Sequence, residues 1–463
     1  MSTLLRLQKA LARQGVMVQF DRGVYQLARA DSAATVLLPA SFPLEEKAVR
    51  QLLDFAAVRS ADGHHAVCKA CATPDFHPGS IAPVGSVVAT GPDFVNPASI
   101  GTDINCGMRL ITTGLDEAGF ARHRDELLAR LTRVLLDNGR DVPLRSQAFR
   151  NLFDVGPLGL IDSLGREGLW AGVDTARLAA ELADCIGLAD FAGNSRYAPE
   201  AMVGNRELLR DPCLGTPGAG NHFVEFQRVD AVLDRHAAYR AGLKQGEVVL
   251  MIHSGSRDLG FYVGQRWMDK ARDAWPQGVK HPASGLYGLA GPLAAEYLVA
   301  MGTAARYAWL NRVVLAELVR KELAEVTGTT ASRLVVDVPH NVVLQEQGFN
   351  IHRKGATPAR SGDLALIPGS MGDASYLVSG LGNADWLWSC SHGAGRQLRR
   401  QEVRRMRQAQ EDGSWHCVTL REERRIEEAP HAYKPIGPVL AAQEEAGLLA
   451  PVARLLPLVT FKA

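Results

Sequence analysis

Apolar positions along the chain follow a helical period in some stretches and form compact, strand-like runs in others. Leu4, Leu5, Leu7, Ala10 and Leu11 share one side of a 3.6-residue turn and predict an opening helix, while Val16–Phe20 reads as a strand and Glu45–Ala57 as a second helix. Further helical patterns span 118–137, 174–187, 230–243 and 291–325, the last unusually long, with Leu298, Ala305, Leu310, Val314 and Leu318 near one face. Between them lie Val248–Ile252, Leu334–Val338, Val418–Leu420 and Leu456–Phe461, which predict strands. The order is irregular, and no repeat of roughly 20–50 residues is present, so neither a regular βαβ array nor a solenoid is expected. The prediction is an α+β fold, with a small N-terminal α+β extension over residues 1–60 and one large domain with insertions over 61–463.

Composition narrows the function classes. The 463 residues are 46% hydrophobic and 22% charged, which is ordinary for a globular chain. A net charge of +1 argues against binding nucleic acid through bulk attraction, so an anionic partner must be held by a local site. Arg6, Lys9 and Arg13 interrupt the N-terminal apolar run, and no long stretch lacks charge and polarity; the expectation is a cytoplasmic protein without a membrane span. Seven cysteines at scattered positions, 68, 71, 106, 185, 213, 390 and 417, read as reduced thiols.

Glycine concentrates beside His, Asn and Ser in five segments: Ile100–Leu110, Leu214–Gln227, Ile252–Gly260, Ile367–Tyr376 and Ser391–Arg396. Such loops bring backbone N–H groups close to a ligand. Tight turns explain any one of them as well as ligand binding does, but five that each carry a metal- or phosphate-competent side chain point to a site. Asp103 and Cys106 are three apart, and His222, His253 and His340 each stand where a regular element meets a Gly-, Ser- or Asn-containing loop. A carboxylate, a thiolate and three imidazoles suffice for one or two divalent transition ions; five unconnected core residues is the competing reading. Cys68 and Cys71, with His64 and His65 upstream, lack a second ligand pair at zinc-knuckle spacing and are read as structural. His123, His236, His281, His416 and His431 have no ligand-like context. His392 ends a hydrophobic stretch and is expected at the positive end of an Arg-rich helix, with Arg396 one turn on. Arg399, Arg400, Arg404, Arg405 and Arg407 extend that run, as a solvated helix face or as phosphate contacts.

Taken together, DINCG at 103–107, GTPGAGNHF at 215–223, HSGSR at 253–257, HN at 340–341, HRKGAT at 352–357, PGSMGDASY at 368–376, SHGAGR at 391–396 and AYK at 432–434 resemble, in order, the RtcB family of GTP-dependent RNA ligases. The resemblance implies a histidine–GMP intermediate formed with manganese. The guanylyl group then passes to an RNA 3′-phosphate, itself supplied where needed by opening a 2′,3′-cyclic phosphate, and a 5′-hydroxyl end displaces GMP. By motif match His392 is the nucleophile and Asp75 the carboxylate that orients it. Asp103, Cys106, His222, His253 and His340 are the ligands of two ions, with Cys106 bridging; zinc or cobalt suits the same donors. Asn221, Asn341 and the loop Gly393, Ala394, Gly395 and Arg396 are expected at the GTP phosphates, and Glu225, Ser370, Tyr433 and Lys462 at guanine. RNA bearing those ends is the expected partner, with an activating or release-factor-like protein beside it. Asp258 in place of glycine, the short stretch Pro358–Ile367 and Ser391 where cysteine is common depart from the family pattern and suggest a divergent, RNA-repair branch as readily as tRNA splicing. A non-catalytic RNA-end-binding paralogue would show a broken donor set, and none is broken. A cyclic phosphodiesterase that does not ligate would have no need of a guanine pocket.

Overall fold

The computed structural model describes residues 2–204, 208–406 and 415–463. Two mixed sheets organise the chain. The first runs, in spatial order, Met17–Asp21, Val24–Arg29, Ser32–Leu37, Val67–His77, Val84–Thr90, Phe349–Lys354 and Asn341–Glu346. The second runs Leu334–Pro339, Gly107–Asp116, Glu247–Ser254, Phe223–Val232, Leu449–Lys462, Ser375–Gly380 and Leu364–Ile367, with Cys417–Thr419 lying parallel to Leu449–Lys462. The architecture is α+β. Within the first 60 residues, Ser32–Leu37 pairs in parallel with Val67–His77, so the N-terminal strands continue the sheet that the later chain completes, over a shared apolar core.

The helix Pro292–Thr327 covers one face of the second sheet. Proline at its first turn and Gly328 in the left-handed region just past its end delimit it. It is buried on nearly all sides over residues 300–320, including Asn311, Arg312 and Arg320, which is why its apolar positions fill more than one stripe. The helix Glu117–Leu135, capped by Asp116, packs beside it.

Two expected helices are corrected. Over 174–187 the α-helix covers only Thr175–Ala180 and tightens into a 3₁₀ turn, Glu181–Asp184. There Glu181 turns inward to the buried guanidiniums of Arg109 and Arg320. Over 230–243 the strand Phe223–Val232 runs on to Val232, and the helix is confined to Arg235–Ala241 between the Asp234 cap and Gly242. The strand expected at Leu456–Phe461 is the end of a 14-residue strand, Leu449–Lys462. Its prolines masked it, and Pro457 sits where the pairing with Phe223–Val232 shifts register.

Candidate metal and nucleotide site

Strand register assembles the site. Gly107 lies opposite both Ser254 and Pro339, and Phe223 lies opposite His253. The residues that precede or end those strands, Asp103, Cys106, His222, His253 and His340, therefore meet at one edge of the second sheet. His340 occupies the crossing from Leu334–Pro339 to Asn341–Glu346, the point where the chain passes between the sheets. From the first sheet Val67–His77 brings Asp75, and the strand Ser389–Ser391, paired separately with Ala356–Pro358, ends immediately before His392.

The donors converge. Cys106 Sγ is 3.2 Å from His222 Nε2 and 3.3 Å from His253 Nε2. His222 Nε2 is 3.0 Å from Asp103 Oδ2, and His253 Nε2 is 3.1 Å from His340 Nε2. They form two overlapping sets that share Cys106, one with His253 and His340 and one with Asp103 and His222. His222 donates Nδ1–H to the Pro217 carbonyl at 3.0 Å, which leaves Nε2 as its ligand atom. Gly218, at φ +95°, keeps that approach open; a Cβ there would lie 2.8 Å from His222 Nδ1.

Burial, reinforced by neighbouring imidazoles, holds His253 and His340 well below the usual histidine pKa, so both present lone pairs. Burial raises the Cys106 thiol pKa, and the Asp103 charge raises it further. Burial alone would raise Asp103 too, but the His222 imidazole reverses the shift and holds its carboxyl below the ordinary range. Two imidazole nitrogens face each other across 3.1 Å next to a sulfur that burial keeps protonated, an arrangement that a soft divalent cation would relieve. The residues present fit a transition-metal centre.

His392 stands beside this cluster, its ring centroid 4.6 Å from that of His340. Its Nδ1–H donates to Asp75 Oδ2 at 2.6 Å, and Thr73 Oγ1 donates to the other carboxylate oxygen at 2.6 Å. The carboxylate thus orients the ring, with Nδ1 committed to Asp75 and Nε2 on the opposite edge. Its expected placement at a helix N-terminus is corrected: His392 follows a strand, and the helix begins only at Arg400. Gly393 and Gly395 interrupt any helix, and Gly395, at φ +76°, lets the loop pass so close to Asp75 that a Cβ would sit 2.4 Å from its carbonyl oxygen.

A cleft of about 1130 Å³ opens above, and all five glycine-rich segments contribute to its walls. It gathers Asn221, Glu225, Asn341, Ser370, Gly393, Ala394, Gly395, Arg396, Tyr433 and Lys462. Asn341 also supports the cluster, donating to the Asp103 carbonyl at 3.1 Å and accepting from Gly355 N–H at 2.9 Å. At the far end, Glu225 accepts from Gln227 at 2.6 Å and from Thr460, and burial pushes its pKa up to about 7. Tyr433 donates to Glu428, which also pairs with Arg396 at 3.1 Å and Arg400 at 3.0 Å. Lys462 donates to the Gly220 and His222 carbonyls at 3.4 and 3.3 Å.

Several lining residues carry no signal of a role in the sequence. Lys354, inside the HRKGAT motif, lines the cleft within electrostatic reach of Asp103 and Cys106. His77 donates Nδ1–H to the Asp75 carbonyl at 2.6 Å, and burial lowers its pKa to about 3. Glu428 is silent too, because an acid two residues before proline in a charged stretch looks solvated. Arg400 and Arg404 reach back to the buried Glu427 and Glu428, so they are not simply an outer face; Arg407 lies outside the described residues. Cys68 is exposed and Cys71 buried, three apart on the strand Val67–His77, in keeping with a structural role.

A convergent thiol, imidazole and carboxylate set beside a second imidazole aimed by a buried carboxylate is the equipment of a metal-assisted group-transfer enzyme. The family model described as tRNA-splicing ligase RtcB matches residues 55–463, and the chain belongs to that family of RNA ligases. It is 34% identical over 426 residues to the RNA-splicing ligase RtcB of Mycobacterium bovis, covering 84% of this chain and 95% of the relative. Against the tRNA-splicing ligases RtcB of Pyrobaculum aerophilum and Thermococcus kodakarensis identity is 32% and 33%, covering 84% and 83% of this chain and 86% of each relative. The enzyme is thus an RNA ligase with an RNA substrate. No helix among the described residues is long and apolar enough to cross a membrane.

Proposed function

We propose that the chain joins RNA 3′-phosphate or 2′,3′-cyclic phosphate ends to 5′-hydroxyl ends, using GTP and two manganese ions, through a guanylate carried on His392. The observation that carries this reading is the pair His392–Asp75, 2.6 Å apart and adjoining the donor cluster. His392 Nε2 attacks the α-phosphorus of GTP, an N–P bond forms, and the P–O bond to pyrophosphate breaks. Asp75 accepts the Nδ1–H bond throughout and stabilises the positive charge that develops on the ring. An oxygen of the RNA 3′-phosphate then takes the guanylyl group, breaking the N–P bond. The 5′-hydroxyl oxygen next attacks the activated RNA phosphorus, loses its proton, and GMP departs, so the sealing phosphate comes from the RNA.

Asp103, Cys106, His222, His253 and His340 would hold the ions, which when bound supply positive charge against the oxygens on phosphorus. Asn221 and the Gly393–Arg396 loop would contact the GTP phosphates, with Asn341 at their edge. Glu225 would accept from guanine N1–H and its exocyclic amine, a pattern adenine cannot offer, with Ser370, Tyr433 and Lys462 around the base. Incubation with GTP labelled at the α-phosphate should give a labelled protein band that His392→Ala abolishes while remaining folded. Persistence of the band in that variant would overturn the assignment.

A further inference from the structure

Beneath the cluster, in the middle of the helix Pro292–Thr327, lie two consecutive buried polar residues that contact none of the donor atoms. Arg312, 1% exposed, grips Asp337 with Nε at 3.1 Å and Nη2 at 2.7 Å. Its Nη1 donates to the carbonyls of Asn105 at 2.7 Å and Ser254 at 3.1 Å. Asn105 is bonded to Cys106, and Ser254 to His253, so one nitrogen spans the peptide groups beside two donors that stand 3.3 Å apart. Asp337 lies on the strand leading to His340, whose N–H donates to the Cys106 carbonyl at 2.8 Å.

Asn311 ties the remaining segment. Its Oδ1 accepts from Gly215 N–H at 2.8 Å, and its Nδ2 donates to Ser254 Oγ at 2.9 Å. Ser254 Oγ in turn donates to the Pro217 carbonyl at 2.6 Å, the same carbonyl that receives His222 Nδ1–H. Gly107 leaves room for the arrangement, since a Cβ there would lie 3.1 Å from Arg312 Cζ.

We infer that Asn311 and Arg312 are positioning residues of the metal centre: one turn of one helix sets the mutual spacing of the segments carrying Cys106, His222, His253 and His340. Burying a guanidinium is costly, and helix packing alone would be met by an apolar side chain. The cost is explained if the fork's rigid planar geometry fixes carbonyls that neighbour ligand atoms, as outer hydrogen bonds do for metal ligands generally. This inference rests on the reading of the cluster as a metal centre.

The test is a titration of the metal-free full-length protein with Co2+, followed by its visible spectrum and a thiolate-to-cobalt charge-transfer band. Arg312→Lys keeps a charge beside Asp337 but replaces the planar fork with a single nitrogen, which cannot hold the two-point grip on Asp337 and both carbonyls in the same geometry; Asn311→Ala leaves no buried charge behind. Both should bind Co2+ about 10–100-fold more weakly than wild type, with a shifted band. Arg306→Lys supplies the comparison. Arg306 lies in the same helix and is similarly bound to carbonyls, those of Phe191 at 2.6 Å and Phe153 at 2.7 Å, away from the cluster. It should lower the melting temperature and leave the cobalt spectrum alone. Wild-type cobalt affinity and spectrum in the folded variants would overturn the positioning role, and if Arg312→Lys does not fold, Asn311→Ala decides alone. Absence of the band in wild type would instead overturn the metal reading.

Discussion

The two ends of the cleft solve opposite problems. At the cluster end, Sγ, three Nε2 atoms and a carboxylate oxygen crowd together at 3.0–3.3 Å with few hydrogens to share, and His340 Nδ1 is buried without a partner among the described residues. At the proposed guanine end three polar side chains already have protein partners: Glu225 has Gln227 and Thr460, Tyr433 has Glu428, and Lys462 has two carbonyls. The first region is a set of converging lone pairs suited to a cation. The second must exchange internal hydrogen bonds for ligand bonds, so its binding free energy is a difference between similar quantities.

The comparison breaks most visibly at Cys106. It belongs to both donor sets, so Cys106→Ala should remove metal from both and lower the rate of protein guanylylation by about 1000-fold. His222→Ala, which touches one set, should retain part of the metal. Metal analysis of the purified variants checks both, and full metal content in Cys106→Ala would remove its shared role.

At the other end, Glu225→Gln should raise the KM for GTP about 100-fold and weaken discrimination against ATP, with metal content unchanged. The same residue predicts a pH dependence. Its folded pKa, about 7, lies above the ordinary 4.5, because burial disfavours the charge more than Thr460, Gln227 and Lys462 favour it. The native state therefore binds the extra proton between those values, and stability falls as pH rises through that window; Glu225→Gln should remove this fall. In the proposed guanine contact Glu225 accepts both hydrogen bonds and so must be ionised; on that reading GTP affinity should drop about tenfold for each pH unit below 7 in wild type and stay flat in the variant. A smaller effect is expected from Tyr433→Phe, since Arg396 and Arg400 still hold Glu428: about 1 kcal/mol of stability and a KM rise under about tenfold.

The cluster end was the more legible in the sequence for the same physical reason. Its donors are residue types with few other uses in glycine-rich loops, so Asp103, Cys106 and the three histidines stood out without a structure. Glu428, His77, Asn311 and Arg312 did not, because what makes them matter is burial and the carbonyls they meet, and composition carries neither. The long helix was readable from its period, whereas the strand Leu449–Lys462 was only half seen, since its prolines are tolerated through a register shift that only pairing reveals.

The least of the expected effects marks where the guanine-end network stops. Arg400 and Arg404 hold the buried Glu427 and Glu428, so neutralising them would strand carboxylates and disturb nucleotide binding as well as any RNA contact. Arg399, at the cleft wall within electrostatic reach of Glu45, and Arg405, on the same short stretch, are exposed and form no ion pair among the described residues, which leaves them available to phosphate. Replacing both with glutamine should weaken binding of a single-stranded RNA 3′-phosphate oligonucleotide several-fold at low salt. It should also reduce the slope of log K against log salt by up to about 0.7 for each phosphate that goes unneutralised. The KM for GTP should not move, because neither residue touches Glu428. An unchanged salt slope would return them to a solvated helix face, and a raised KM for GTP would show that the guanine-end network reaches past Arg400 and Arg404 to the rim.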